Sequence, residues 1–157
     1  MKKVIEAIKS FFEKNEWKYQ YNEEKKFFVS GINMDNVLGN VSMYISLEEN
    51  SYNVYMILNS KAEEEYYVAV GEFLHRANYG LKNGNFEMDY RDGEVRYKSF
   101  VNFENIVISE EIVKDSIFVG IAMLDTYGKG LLKIMLGEST PKECIEECEK
   151  IEKDETL

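Results

Sequence analysis

At 157 residues the chain fits a single domain, long enough to bury roughly two thirds of its unfolded surface. With 45% hydrophobic and 31% charged residues, it belongs with globular chains and not with disordered ones. A formal net charge of −10 argues against nucleic acid and anionic membrane surfaces as partners, and leaves solubility or a basic protein partner as what the charge serves.

One proline, no Gly/Ser-rich stretch and no internal repeat leave no place for a linker, so 1–157 is expected as one domain. Met1-Lys2-Lys3 opens like a signal peptide, but Glu6 and Lys9 interrupt any apolar h-region. The longest apolar run, Ile117 to Leu124, falls well short of the ~20 residues that a membrane span needs. With two cysteines and no export signal, the cytoplasm is the expected compartment.

Val4, Ile5, Ile8, Phe11 and Phe12 predict a first amphipathic helix ending near Asn15. Trp17, Tyr19 and Tyr21 then alternate with polar residues as one half-buried strand, and Phe27 to Ile32 is a second. After a loop over 33–40, Val41, Met43, Ile45 and Leu47 alternate with Ser42, Tyr44 and Ser46, and Tyr52, Val54, Met56 and Leu58 alternate again. Closing this as a hairpin places Leu47 beside Tyr52, Ile45 beside Val54 and Met43 beside Met56 on a dry face. The opposite face puts Tyr44 beside Tyr55 and Ser42 beside Ile57, which is more apolar than a purely solvated face. Either another element of this chain covers it or a second chain does, and Tyr44, Tyr55 and Ile57 are the candidate contact residues.

Tyr66, Val70, Phe73, Leu74, Ala77 and Leu81 form a helical stripe, with Glu63, Glu64 and Glu65 in the first turn where negative charge suits the helix dipole. Gly80 and Asn83-Gly84 end that helix. Asp92-Gly93 is a two-residue hairpin signal, because both residues tolerate positive φ. Folded there, the chain sets Phe86, Met88, Tyr90, Val95, Tyr97, Val101 and Phe103 on one face. The other face opposes Glu87 to Lys98, Asp89 to Arg96 and Arg91 to Glu94, each pair worth roughly 0.2–1 kcal/mol. Ser109 is placed to N-cap a long helix with Glu110 and Glu111 in its first turn, although Gly128 and Gly130 weaken it and offer a place to kink or split. Thr140-Pro141-Lys142-Glu143 is a capping box, opening a last helix over about 140–153 whose apolar side is Ile145, Cys148 and Ile151, fraying from Glu152 to Leu157. Helices packed on one face of a mostly antiparallel sheet make this an α+β chain.

No catalytic residue, cofactor site or metal site assembles from this pattern. Cys144 and Cys148 share a helical face, as two ligands of a metal or a redox pair would, but they supply only half of a structural zinc site. His75, the single histidine, reads as a satisfied structural residue with no nucleophile to serve. Tyr127-Gly128-Lys129-Gly130 lacks the spacing and Ser/Thr of a P-loop. Glu48-Glu49 and Glu110-Glu111 read as solvated charge at a turn and a helix start.

The segment from Phe73 to Val101 carries a helix ending near Asn78, the link Gly84-Asn85-Phe86, the turn Asp92-Gly93 and the strand Val95-Arg96-Tyr97. In this it resembles the YbjN family, described as candidate bacterial sensory transduction regulators, over about 41–135. The resemblance implies a fold like that of type III secretion chaperones, with helices on a curved antiparallel sheet, a core of about 27–136 and an extra C-terminal helix. It also implies a non-enzymatic, chaperone-like or regulatory module that binds another protein, often as a homodimer. The competing expectations are an acidic antidote to a basic toxin, and a small thiol-redox or metal protein using Cys144 and Cys148.

Overall fold

In a computed structural model that describes residues 1–154, the chain opens with helix α1 (Lys2–Lys14). Its Val4, Ile8, Phe11 and Phe12 are buried at the spacing of one helical face. Strands β1 (Tyr19–Asn22), β2 (Phe27–Asn33), β3 (Asn40–Leu47) and β4 (Ser51–Lys61) follow, then helix α2 (Tyr67–Tyr79). The hairpin β5 (Asn85–Met88) and β6 (Glu94–Asn102) comes next, and helices α3 (Glu110–Met135) and α4 (Pro141–Asp154) close the chain.

The six strands form one curved, open sheet in the order β1-β2-β3-β4-β6-β5, antiparallel at every step. The expected pairing of β3 with β4 is present, with Leu47 opposite Tyr52, Ile45 opposite Val54 and Met43 opposite Met56. All six of those side chains are buried. The helices lie on that inner face. Phe12 of α1 stacks on Tyr19 at 4.9 Å and approaches Phe28 at 6.0 Å. Helix α3 crosses β4 and β6, so close that a Cβ on Gly120 would sit 2.8 Å from Met56 and 3.3 Å from Tyr97. A buried polar clamp holds it there: the Tyr52 hydroxyl and the Ser116 hydroxyl lie 3.0 Å apart, Ser116 Oγ donates to the Val113 carbonyl, and Ser99 Oγ donates to the Ser116 carbonyl at 2.6 Å. Burial pushes the Tyr52 phenol up to about 12, against the opposing effect of its Ser116 partner. Helix α4 packs over α2 and α3.

The free edge of β5 is blunted by Asn78 at the end of α2. Its side-chain amide donates to the Phe86 carbonyl at 3.0 Å and accepts from the Phe86 amide at 2.7 Å, imitating a neighbouring strand. That is the physical work of the asparagine in the Phe73–Val101 segment.

The predicted hairpin register is corrected by two residues. Phe86 faces Tyr97, Glu87 faces Arg96 and Met88 faces Val95, so the loop is the four residues Tyr90 to Gly93. Asp89 is the cause: its carboxylate accepts from the Arg91 backbone amide at 2.9 Å, an Asx turn that the two-residue loop cannot form. A shift of two keeps the faces of the strands and changes the ion pairs. Glu87 bonds both Arg96 and Lys98, Asp89 bonds Arg91 instead of Arg96, and Tyr90 is 62% exposed instead of inward. Gly93, at φ +74, is needed for another reason: a Cβ there would lie 2.0 Å from the Ala62 carbonyl oxygen, where Ala62 and Gly93 are hydrogen-bonded.

Two further boundaries move. Glu64 to Tyr66 is a separate 3-10 turn, and α2 begins only at Tyr67. Trp17 is outside β1, since its amide closes the end of α1 on the Phe12 carbonyl and its ring packs with Phe11 and Phe118. Helix α3 does not split at its glycines, and both sit where neighbours press in: Leu38 on Gly128, Cys148 and Phe73 on Gly130. The Ser109 cap and the Thr140–Glu143 capping box form as expected. The expected fraying meets the limit of description, since α4 continues to Asp154 and residues 155–157 lie outside the described residues.

Candidate protein-binding face

Because side chains alternate along a strand, the buried inner set fixes a second set pointing outward, and among the described residues no helix packs on it. Two rows cross this face. In one, Val29, Tyr44, Tyr55 and Lys98 are successive cross-strand neighbours; in the other, Phe27, Ser46, Asn53 and Phe100 are. The rings of Phe27 and Tyr44 lie 4.8 Å apart and those of Tyr44 and Tyr55 6.3 Å apart. The Arg96 guanidinium continues the ladder, stacked 4.4 Å from the centre of the Tyr55 ring. Ile57 sits half-buried between Ser42 and Arg96. The structure therefore brings Tyr44, Tyr55 and Ile57 onto one open surface.

That surface is larger than the three residues named from the sequence. Phe100 is 53% exposed and Val29 is 37% exposed, both on the same face. Phe100 shares strand parity with Arg96 and Lys98, and that alternation was the signal available for it. The Arg96–Tyr55 stack was not available, because it depends on β6 lying beside β4. At the far end Glu87 accepts from Arg96 Nε at 2.9 Å and from Lys98. Burial raises the Glu87 carboxyl, but the Lys98, Arg96 and Asn85 donors outweigh it and hold the group below its ordinary value.

The other candidates do not converge. Cys144 and Cys148 are free, buried thiols, Cys148 lying against Gly130 of α3, and burial pushes the Cys148 thiol up, against reactivity at neutral pH. No group of three or more His, Cys, Asp or Glu among the described residues is arranged to hold a metal. His75 is exposed on α2, which corrects the expectation of a packed, satisfied histidine: it lies one position off the buried stripe of Phe73, Leu74 and Ala77. Tyr127 to Gly130 is the middle of α3, not a loop. Asp89 is held at about 2 by Arg91 and is a half-buried turn residue. No helix among the described residues is long and apolar enough to cross a membrane.

The sequence matches no family model and no curated protein. Solved structures do match. YbjN of E. coli, described as a candidate transcription regulator, aligns with a TM-score of 0.57 at 8% identity over 83% of this chain and 88% of that one. The ExsC–ExsE complex aligns with a TM-score of 0.56 at 12% identity over 82% of this chain and 92% of that one. The resemblance carried by Phe73 to Val101 is thus met at the level of architecture: this chain has the α+β fold, helices on a curved antiparallel sheet, that is seen in YbjN and in the ExsC–ExsE complex.

Proposed function

We propose that this protein is a non-enzymatic interaction module, chaperone-like or regulatory, which holds another protein chain against the outer face of β2, β3, β4 and β6. The observation that carries the reading is the helix-free aromatic ladder Phe27–Tyr44–Tyr55 with Arg96 at its end. Aromatic rings and a stacked arginine give large contact area at small conformational cost, and they are the residue types that anchor protein interfaces. The fold shared with the ExsC–ExsE complex supports it, since that neighbour is itself a protein–protein complex. Cytoplasmic residence and homodimeric assembly belong to the same reading.

Tyr55→Asp tests it. The side chain points away from the core, so the variant should melt within a few degrees of wild type. In affinity purification from the native cell it should lose a protein that the wild type retains. Retention of the same co-purifying chains by both proteins would show that this face is not the binding surface.

A further inference from the structure

Between the start of α1 and the β1–β2 turn lies a cavity of about 480 Å3. It opens on the helix side of the sheet, since the Tyr21 ring that lines it packs 4.4 Å from the inward ring of Phe28. Its size falls in the range of small-molecule sites, roughly 300–1,000 Å3. Ile5 and Tyr21 supply apolar wall, and three lysines, Lys2, Lys9 and Lys26, line it against two carboxylates, Glu6 and Glu23. That balance reverses the −10 of the whole chain. Lys2 pairs with Glu6 at 4.0 Å. Lys9 and Lys26 are half-buried, and among the described residues neither has an ion-pair partner. The Lys9 ammonium stands instead 4.9 Å from the centre of the Tyr21 ring. The Tyr21 hydroxyl is out of solvent and has no hydrogen-bond partner among the described residues, which is a cost to the fold. Lys26 carries a second cost: its φ of +54 is a left-handed backbone that glycine adopts more easily.

Stability alone explains none of these features, because a phenylalanine, a glycine and a paired or exposed lysine would each be cheaper. All of them lack the same thing, an acceptor oxygen. We infer that the cavity is a binding site for a small amphiphilic carboxylate, whose oxygens accept from the Lys9 and Lys26 ammonium groups and from the Tyr21 hydroxyl while its apolar tail lies against Ile5 and the Tyr21 ring. Burial, and then the Glu23 carboxylate, push the Tyr21 phenol up, so the group keeps its proton and donates at neutral pH. Hydrogen bonds from ammonium groups to a carboxylate are the strong, charge-assisted kind. Glu23 also sets the limit on ligand charge: a dianion would be repelled, whereas a monoanion meets a net positive wall. The site lies across the sheet from the face proposed to bind protein, and it stands or falls independently of that reading.

Isothermal titration of the full chain with sodium octanoate tests this, with 1-octanol and octylammonium as neutral and cationic probes carrying the same tail. Octanoate should bind saturably at one site per chain, and the other two at least about tenfold more weakly. Lys9→Gln, Lys26→Gly and Tyr21→Phe should each raise the octanoate Kd at least about fivefold. Tyr21→Phe should at the same time raise the melting temperature of the free protein, because the orphan hydroxyl is gone, and Lys26→Gly should not lower it, because the strained φ is relieved. Lost affinity without lost stability is what a merely structural role would not produce. Tyr55→Asp, on the outer face, should leave the octanoate Kd unchanged. Absence of saturable octanoate binding, equal binding of the three probes, or an octanoate Kd indifferent to Tyr21→Phe and Lys26→Gly would overturn the inference.

Discussion

Replacing Glu87 with Gln isolates the ion cluster at the end of the outer face. The Glu87 carboxylate accepts from Arg96 Nε at 2.9 Å, from Asn85 Nδ2 at 3.2 Å and from Lys98 Nζ, and its side chain is 26% exposed. Gln keeps the shape and removes the charge, leaving Lys98 without its carboxylate and Arg96 with only Glu94, 3.9 Å away. Charge-assisted hydrogen bonds are worth more than neutral ones, while partial exposure and salt reduce them. We expect a loss of about 1–2 kcal/mol at neutral pH. The pH dependence has a definite sign. Glu87 is held below its ordinary value in the fold, so its contribution is fully present above the unfolded carboxyl pKa and is lost as pH falls through the folded one. Urea denaturation of both proteins should show the full difference at neutral pH and a progressively smaller one as pH falls below the ordinary glutamate range. Equal midpoints at neutral pH, or a difference that persists unchanged in acid, would refute the argument.

Two glycine substitutions should act in opposite directions. Gly71→Ala in α2 meets only the end of the exposed Tyr90 side chain, which can swing away, so helix propensity should win and stabilise by about 0.5–1 kcal/mol in thermal melts. Gly130→Ala drives a methyl to within 2.8 Å of Cys148 Sγ and 3.1 Å of the Phe73 ring, so overpacking should destabilise by about 1–3 kcal/mol before the propensity gain is subtracted. Ser116→Ala strands the buried Tyr52 hydroxyl and should cost about 1–3 kcal/mol; adding Tyr52→Phe should recover part of it in a double-mutant cycle, since no orphan donor then remains. In a native thiol titration Cys144 and Cys148 should react slowly, with two equivalents appearing promptly once urea unfolds the chain; fast reaction of either native thiol would contradict the packing of α4.

Local pattern determined much of this protein. Alternation along β3 and β4 fixed which side chains face the helices, and therefore that Tyr44, Tyr55 and Ile57 share the opposite side, because a strand has a period of two whatever lies beside it. Caps at Ser109 and Thr140 were legible for the same reason: their hydrogen bonds span three or four residues. Tertiary structure decided what depends on distant chain. The length of the Asp92-Gly93 loop rested on Asp89 choosing its own Arg91 amide over a cross-strand partner, two local options that sequence alone leaves close in energy. The placement of β6 beside β4 put Arg96 on Tyr55 and extended the uncovered face to Phe100. The glycines of α3, costly in an isolated helix, sit where Leu38, Phe73 and Cys148 approach from elements far away in the chain. Periodicity orients a side chain, whereas neighbours brought in from elsewhere in the chain determine what it meets.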